Sequence, residues 1–547
     1  MVVLSAATKN LMKVLKPFSK RRHSEASRAR LNEKTEHDEI VVSMRGIVKR
    51  FPNVIANDHI DFDIKAGEIH AMLGENGAGK TTLMNILFGI YHPDEGEIYI
   101  RGEKVTIKSP KDAIELGMGM VHQHFMLVYP HTVAENIALG LSTSKFFFPA
   151  REVEKEVLEL SEKYGLKVDP KARIWQLSVG EQQRVEIIKV LYRGARVLIL
   201  DEPTSVLTPG ETEELFMILR RIAEEGRAVV FITHKLDEAL AISDRTTVLR
   251  RGKVVKTVDT SKTSKRELAS MMVGREVLFR LERKHVERGK VVLEVRNLHA
   301  LNEKRLPAVK GVSFTVRESE ILGIAGVAGN GQRELVEVIT GLRNATKGEV
   351  LILGADVTNR SPGEIADKGV AHVPEERIRM GLVPNMSVAE NLILKKYRHA
   401  PFSNKLLLKF TSIDEQAEKL ISQYNIITPS KETPAKLLSG GNIQRLILAR
   451  ETSENPRLVV AAHPTYGLDV GATEHIRLLL LKQRERGVAI LLVSEDLEEI
   501  MSLSDRIAVM LGGEIMGIVD AEGAKKEDIG LMMTGAKRIT NALEESS

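Results

Sequence analysis

The chain has 547 residues, more than the roughly 100 to 200 that one domain usually holds, so two or more hydrophobic cores are expected. Its 43% hydrophobic and 28% charged residues are those of a soluble globular protein, and no apolar run approaches the about 18 to 20 residues of a membrane helix. Any dealing with a membrane is therefore expected to pass through a partner. The net charge of +5 is small for this length, and the absence of cysteine excludes disulfides and cysteine metal sites, in keeping with a reducing cytoplasm.

Residues 1–39 form a basic extension. Lys9, Lys13, Lys16, Lys20, Arg21 and Arg22 precede any acidic residue, and an unstructured tail is expected. A lipid-touching leader built on Leu11, Val14 and Leu15 is the alternative. Strand patterns begin near residue 40. The apolar run Ile69 to Leu73 leads into Gly74, Glu75, Asn76, Gly77, Ala78, Gly79, Lys80, Thr81 and Thr82, and a helical pattern follows from Leu83 to Phe88. Strand, glycine loop and helix start are the setting that a G-x-x-x-x-G-K-[ST] phosphate loop requires. Glycines let several backbone N–H groups turn onto one phosphate, and the helix N-terminus adds a favourable dipole. In that reading Lys80 reaches the β and γ phosphates and the Thr81 hydroxyl ligates Mg²⁺. A glycine-rich turn without a ligand is the plainer reading, and the complete pattern in this context argues against it.

Further along, Arg151 to Gly165 reads as an inserted helical subdomain. Leu177 to Gln183 opens another helix, with Ser178 placed as a plain N-cap if taken alone. The run Val197 to Leu200 is a buried strand ending in Asp201 and Glu202. Such a pair is often only a helix cap. Beside a phosphate loop, Asp201 can hold the Mg²⁺ shell and Glu202 can polarise a water for in-line attack. Together with Val229 to Ile232 and Val488 to Val493, these β-branched runs alternate with helices, which predicts an α/β fold with a largely buried parallel sheet.

Between the two nucleotide motifs, the Ser178 segment resembles the signature sequence of ATP-binding cassette (ABC) proteins. The resemblance spans residues 40–537 and is nearest to the duplicated ATPase subunits of bacterial and archaeal importers for simple sugars and nucleosides. The phrases His122 to Val128, Ser205 to Pro209 and Ala461 to Asp469 look like the nucleoside branch. What the resemblance implies is specific. Gln123 matches the glutamine that senses metal and water, His234 the switch histidine at the γ-phosphate, and Phe51 the aromatic that stacks on adenine. The fold implied is two tandem ABC-type P-loop nucleotide-binding domains, each with a helical subdomain.

The pattern of residues 40–279 returns at 291–537 after a short charged linker, 280–290, and a tail follows from 538 to 547. In the second half Ser412 to Tyr424 reads as the helical subdomain. Its chemistry is degraded. Gln332 and Arg333 stand where Lys80 and Thr81 stand, Ala462 and His463 replace Asp201 and Glu202, Glu495 replaces His234, and Glu303 falls opposite Phe51. Val373 to Glu376 replaces the glutamine loop. Nucleotide binding there through the glycine backbone and Arg333 stays open, whereas efficient hydrolysis is not expected. Conversely, Ser439, Gly440 and Gly441 keep a full signature where the first half has Val179 and Gly180, and Asp469 is kept where the first half has Thr208.

In the family two cassettes pack head to tail, so the resemblance implies one composite site with intact parts. It joins Phe51, Gly74, Asn76, Gly77, Gly79, Lys80, Thr81, Thr82, Gln123, Asp201, Glu202 and His234 to Ser439, Gly440, Gly441 and Asp469. ATP and Mg²⁺ are the implied cofactors, the latter held by Thr81, Gln123 and Asp201. The implied partners are two integral-membrane permease subunits and, indirectly, an extracytoplasmic solute-binding protein, with no nucleic acid. The implied place is the cytoplasmic face of the membrane. A soluble twin-cassette ATPase acting on ribosomes or nucleic acid is the alternative, but such proteins carry a long basic helical linker between two competent sites.

Overall fold

The computed structural model describes residues 39–52, 54–140, 150–205, 207–276, 283–404 and 407–539. The basic extension up to residue 38, residues 280–282 of the expected linker and residues 540–547 of the expected tail lie outside the described residues. The chain divides into two units, one up to residue 277 and one from residue 278 onward.

In the first unit the fully buried apolar runs become the centre of a six-stranded sheet. Its order is Lys253–Asp259, Arg245–Arg250, Ile69–Leu73, Ala228–Thr233, Val197–Asp201 and Met118–Val121. All neighbours are parallel except the edge pair Lys253–Asp259 with Arg245–Arg250. Every position of Ile69–Leu73, Val197–Asp201 and Ala228–Thr233 is buried, as expected of parallel strands covered on both faces. Alternation along one strand then feeds two cores. Leu198 and Leu200 join the core formed with the helices, whereas Val197 and Ile199 join the core that holds Met44, Phe62 and Leu83.

That second core is closed by a four-stranded antiparallel sheet in the order Val54–Lys65, Ile40–Phe51, Glu95–Ile100 and Glu103–Val105. The strand periodicity from residue 40 therefore belongs to a separate layer. The helical segment Ala150–Tyr164 packs Val153, Val157 and Tyr164 at helical spacing against Ile137, Val185 and Leu191.

The second unit repeats the plan. Its six-stranded sheet runs Val370–Val373, Leu458–Ala462, Ala489–Ser494, Ile321–Ala325, Arg506–Leu511 and Glu514–Asp520, and its antiparallel layer runs Pro307–Arg317, Val291–Leu301, Lys347–Ile352 and Ala355–Asp356. Phe410–Gln423 is its helical segment. The described part of the charged segment before it is docked on this unit. Arg283 donates to the Ser504 carbonyl, Arg484 donates to the Lys284 carbonyl at 2.9 Å, and Lys284 pairs with Glu485 at 3.1 Å. At the other end Ile539 N–H donates to the Met516 carbonyl at 2.8 Å.

Candidate functional site

The carboxyl ends of the parallel strands of the first unit gather the predicted residues, as open α/β sheets generally do. Ile69–Leu73 runs into the glycine loop, and Lys80 begins the helix Lys80–Leu87. Gly79, at φ 100°, turns the chain into that helix in the left-handed region. A Cβ there would stand 2.2 Å from the Ala56 carbonyl oxygen, so the antiparallel layer presses directly on the loop. Asn57, fully buried, donates from Nδ2 to the Gly79 carbonyl at 3.1 Å and fastens the two layers together. The Lys80 ammonium curls back into the loop, donating to the carbonyls of Gly74 at 2.7 Å and Glu75 at 3.0 Å. Asn76 lies exposed on the loop and Thr82, the third residue of the helix, is partly buried.

Asp201 ends its strand only 3% exposed and accepts from the Thr81 hydroxyl at 3.2 Å. Burial pushes the Asp201 carboxyl above its ordinary range, against the pull of the Thr81 hydroxyl, and the neighbouring Glu202 charge adds to the rise. Glu202 follows with φ 47°, a backbone region costly for a side chain of this kind. The strain swings its carboxylate out of the strand direction, where His234 Nδ1 meets Oε1 at 2.8 Å and Gln123 Nε2 donates to Oε2 at 3.3 Å. Burial pushes Glu202 up, but the His234 hydrogen bond and the charges of His234, Lys80 and Lys235 outweigh it. The carboxyl is held below its ordinary value and is anionic at neutral pH. Behind this pair the Thr204 hydroxyl donates to the buried Glu238 carboxylate at 2.7 Å and the Thr233 hydroxyl at 3.0 Å, so the turn after Glu202 is tied to the strand that delivers His234.

The donor set fits Mg²⁺. Among the described residues no group of three His, Asp or Glu side chains forms a protein-only cage. A hydroxyl and a buried carboxylate already 3.2 Å apart are the kind of sparse oxygen set on which Mg²⁺ keeps waters and takes phosphate oxygens. Phe51 ends the strand Ile40–Phe51 and is 37% exposed, with Tyr91 edge-on at 5.4 Å between ring centroids. One face of an aromatic pair is thus available beside the phosphate loop's own layer.

The second unit keeps the backbone and changes the groups. Gly331, at φ 99°, reproduces Gly79, and His463 sits at φ 46° where Glu202 has 47°. Gln332 takes over the bracing role of Lys80 by donating to the Val327 carbonyl at 3.1 Å. Arg333 is held by Glu337 at 2.9 Å and has Glu303 and Glu376 at 3.9 Å each, so carboxylates ring the loop mouth. The Thr465 hydroxyl still donates to buried Glu499 at 2.6 Å, copying the Thr204 and Glu238 contact.

The signature segments differ in the opposite sense. Ser178 is a capping residue: its hydroxyl accepts from the Glu181 N–H at 3.3 Å and the Glu181 carboxylate accepts from the Ser178 N–H at 2.8 Å. Thr208 and Glu211 close a second box, and the Glu211 carboxylate lies where a Cβ on Gly180 would be 2.3 Å away. Ser439 makes no such cap. Its hydroxyl accepts from Asn442 Nδ2 at 3.0 Å, which leaves the first turn of the helix Gly440–Thr452 without a side-chain cap. Asp469 accepts from the Ala472 N–H at 2.8 Å and begins the helix Val470–Glu485.

The profile of the ABC transporter family matches residues 57–205 and again 309–466, together more than half of the chain. The chain belongs to the ABC transporter family. This ABC-family ATPase is 47% identical to the nucleoside import ATP-binding protein NupA of Lactococcus lactis over 91% of this chain and 99% of that one. It is 48% identical to the guanosine import ATP-binding protein NupO of Bacillus subtilis over 91% and 98%. With the glucose import ATP-binding protein TsgD13 of Haloferax volcanii it shares 47% over 90% and 95%. A crystal structure of the archaeal ribosome recycling factor aABCE1 with the stalk protein aP1 matches with a TM-score of 0.56 over 87% of this chain and 90% of that one. At 21% identity that likeness is one of fold alone.

Several contacts of the ABC-family ATPase escape a motif reading. Asn57 and Tyr91 have no local signature. Thr204 with Glu238 does leave a trace, because the two halves repeat it as Thr465 with Glu499.

Proposed function

We propose that this ATPase powers import of a nucleoside or simple sugar through two separate integral-membrane permease subunits. It would sit peripherally on the cytoplasmic face, with an extracytoplasmic binding protein delivering the solute. Residues 40–279 would be the catalytic cassette and 291–537 the degenerate one, joined through 280–290. The import reading rests on relatives named for nucleoside, guanosine and glucose import. Among the described residues no helix is long and apolar enough to cross a membrane, which is consistent with separate permeases.

The observation that carries the one-site reading is the division of labour. In the first unit Thr81 is hydrogen-bonded to Asp201, and Gln123 and His234 to Glu202, while the uncapped signature Ser439 to Gly441 and Asp469 lie in the second. In the proposed composite site the loop N–H groups and Lys80 bind the phosphates of ATP. Phe51 carries the base. Glu202 accepts the proton of the attacking water, and His234 and Gln123 hold its carboxylate in line. Thr81, Asp201 and Gln123 would hold Mg²⁺, which supplies charge neutralisation at the β and γ phosphates. Ser439 and Gly441 close on the γ-phosphate. Catalysis is then positioning and charge stabilisation, without a covalent intermediate.

The fold shared with a ribosome recycling factor does not favour the ribosomal alternative, because it carries no likeness of site.

The test is ATP turnover of the purified complex with both permeases. Ser439→Arg should abolish hydrolysis, since a bulky cation would occupy the place of the γ-phosphate, and loss of such a contact costs about 10²- to 10³-fold. Ser178→Arg should leave a substantial fraction, because the second loop lacks counterparts of Lys80 and Glu202. Equal loss from both would overturn the one-site reading.

A further inference from the structure

The second unit holds a cavity of about 430 Å³ at the amino ends of the strands Val370–Val373 and Leu458–Ala462, where the helix Gly440–Thr452 ends beside the helical segment Phe410–Gln423. The glycine loop leaves the same parallel sheet at the opposite, carboxyl ends, so the cavity is no part of the nucleotide site. Its walls are of two kinds. Leu392, Ile393, Phe402 and Leu420 are buried and apolar, whereas Lys395, Arg450 and Glu451 bring charge to it. The Arg450 side chain is only 7% exposed. Its Nε donates to Glu451 at 2.9 Å, and its Nη1 is buried with no hydrogen-bond partner. A buried charged donor left unmade is costly, and such a group in a native structure calls for a reason. The other Glu451 oxygen pairs with Lys395 and accepts from the His372 N–H at 3.1 Å. Burial pushes the Glu451 carboxyl up, but the charges of Lys395 and Arg450 outweigh it and hold it below its ordinary value. One anionic carboxylate is therefore set against two cations. Lys396 is matched by Glu454, and at the exposed rim Asp367 stands with Lys368 and Arg457, so the lining keeps an excess of positive charge.

The fold does not require this arrangement. Counting from Ser178 as from Ser439, Lys189 and Val190 stand in the first unit where Arg450 and Glu451 stand in the second. Lys189 is fully engaged, by Glu186 at 2.7 Å and the Met126 carbonyl at 3.1 Å. Val190 is buried and presses on Gly119 of the edge strand, where a Cβ would be 2.0 Å from its Cγ1. Counting from the buried Asn136 as from Asn391, Gly140 takes the place of Lys395. Plain apolar packing thus serves at the same point of the first unit. A buried ion pair in its place gains little stability after desolvation, and here it leaves one cation in excess.

We propose that the cavity is a binding site for a small organic anion, a phosphate or carboxylate on a compact body, with Arg450 and Lys395 taking the charged group and the wall of Leu392, Ile393, Phe402 and Leu420 taking the body. The planar guanidinium suits two oxygens of one oxyanion, and the volume, apolar lining and few convergent polar groups are those of a small-molecule pocket. The site is separate from the import reading and stands or falls without it.

The experiment titrates phenyl phosphate, inorganic phosphate and phenol into the full chain by calorimetry, with Mg²⁺ and a non-hydrolysable ATP analogue saturating so that the Lys80 loop is already filled. Phenyl phosphate is expected to saturate one site per chain and to bind at least about tenfold more tightly than either fragment, because only it uses both walls. Arg450→Gln should weaken it by about 10- to 100-fold and Lys395→Gln by about tenfold, as charged hydrogen bonds are lost. Lys189→Gln, at the matching place in the first unit, should leave its affinity within about twofold. If Arg450→Gln fails to fold because Glu451 loses a partner, Lys395→Gln decides, since that side chain is 40% exposed. Absence of saturation in the wild type below about 10 mM, or wild-type affinity in the variants, overturns the proposal. Inorganic phosphate binding as tightly as phenyl phosphate overturns it too, because the apolar wall would then contribute nothing.

Discussion

Replacing Glu202 by glutamine separates binding from chemistry. The carboxylate has two partners, His234 Nδ1 at 2.8 Å and Gln123 Nε2 at 3.3 Å. An amide of the same shape keeps one acceptor. If that oxygen stays toward His234, the new NH₂ faces Gln123, whose own amide can rotate to offer its oxygen. The contacts from Lys80 to the carbonyls of Gly74 and Glu75 do not involve the Glu202 side chain and should be kept. ATP affinity should therefore stay within about threefold. The proposed proton acceptor is lost, and a positioned general base contributes about 10²- to 10⁴-fold, or about 3 to 5 kcal/mol of barrier. The assay is phosphate release in a single turnover with the permease complex in excess over ATP, alongside equilibrium ATP binding. A single-turnover rate within tenfold of wild type would refute Glu202 as the base, even if steady-state turnover had fallen.

Lys80→Ala should weaken ATP binding itself by about 10- to 100-fold, since a charged hydrogen bond is worth about 1.5 to 3 kcal/mol and the two carbonyl contacts that brace the loop go with it. Equilibrium binding at unchanged affinity would refute the placement of Lys80 at the phosphates. His372 gives a pH prediction. Burial pushes its ring down from 6.5 to about 4, against the opposing pull of Glu451. As pH falls from about 6.5 to about 4 the unfolded chain takes up a proton there that the folded chain refuses, so stability declines across that window by up to about 3 kcal/mol. His372→Gln should flatten the decline in urea midpoints between pH 7 and pH 4.5, and an identical decline in the variant would count against the assignment.

The strands that end in Leu73 and Asp201 could be read from sequence because each is a continuous apolar run closed by a polar motif, a pattern that local composition fixes. The helical segments were legible as Arg151 to Gly165 and Ser412 to Tyr424, within a residue or two of Ala150–Tyr164 and Phe410–Gln423. The antiparallel layer was visible only as strand periodicity. That it presses on the phosphate loop through Ala56 and Asn57 depends on pairing across distant residues, which no local pattern encodes. Ser178 was ambiguous between cap and ligand contact, and the Ser178 with Glu181 box shows why: the same hydroxyl and helix start serve either purpose.

The second glycine loop has the backbone of the first, with Gln332 and Arg333 in the places of Lys80 and Thr81. A Cβ on Gly331 would stand 2.1 Å from the Ala308 carbonyl oxygen, and one on Gly326 would stand 2.7 Å from that of Met510. These glycines are required by neighbouring backbone whether or not a phosphate ever arrives. In a duplicated protein such a loop can therefore outlive its ligand indefinitely, held by folding alone, and a genome survey that counts glycine loops counts packing solutions. The side chains one and two residues past the last glycine are the better witnesses of what a copy still does.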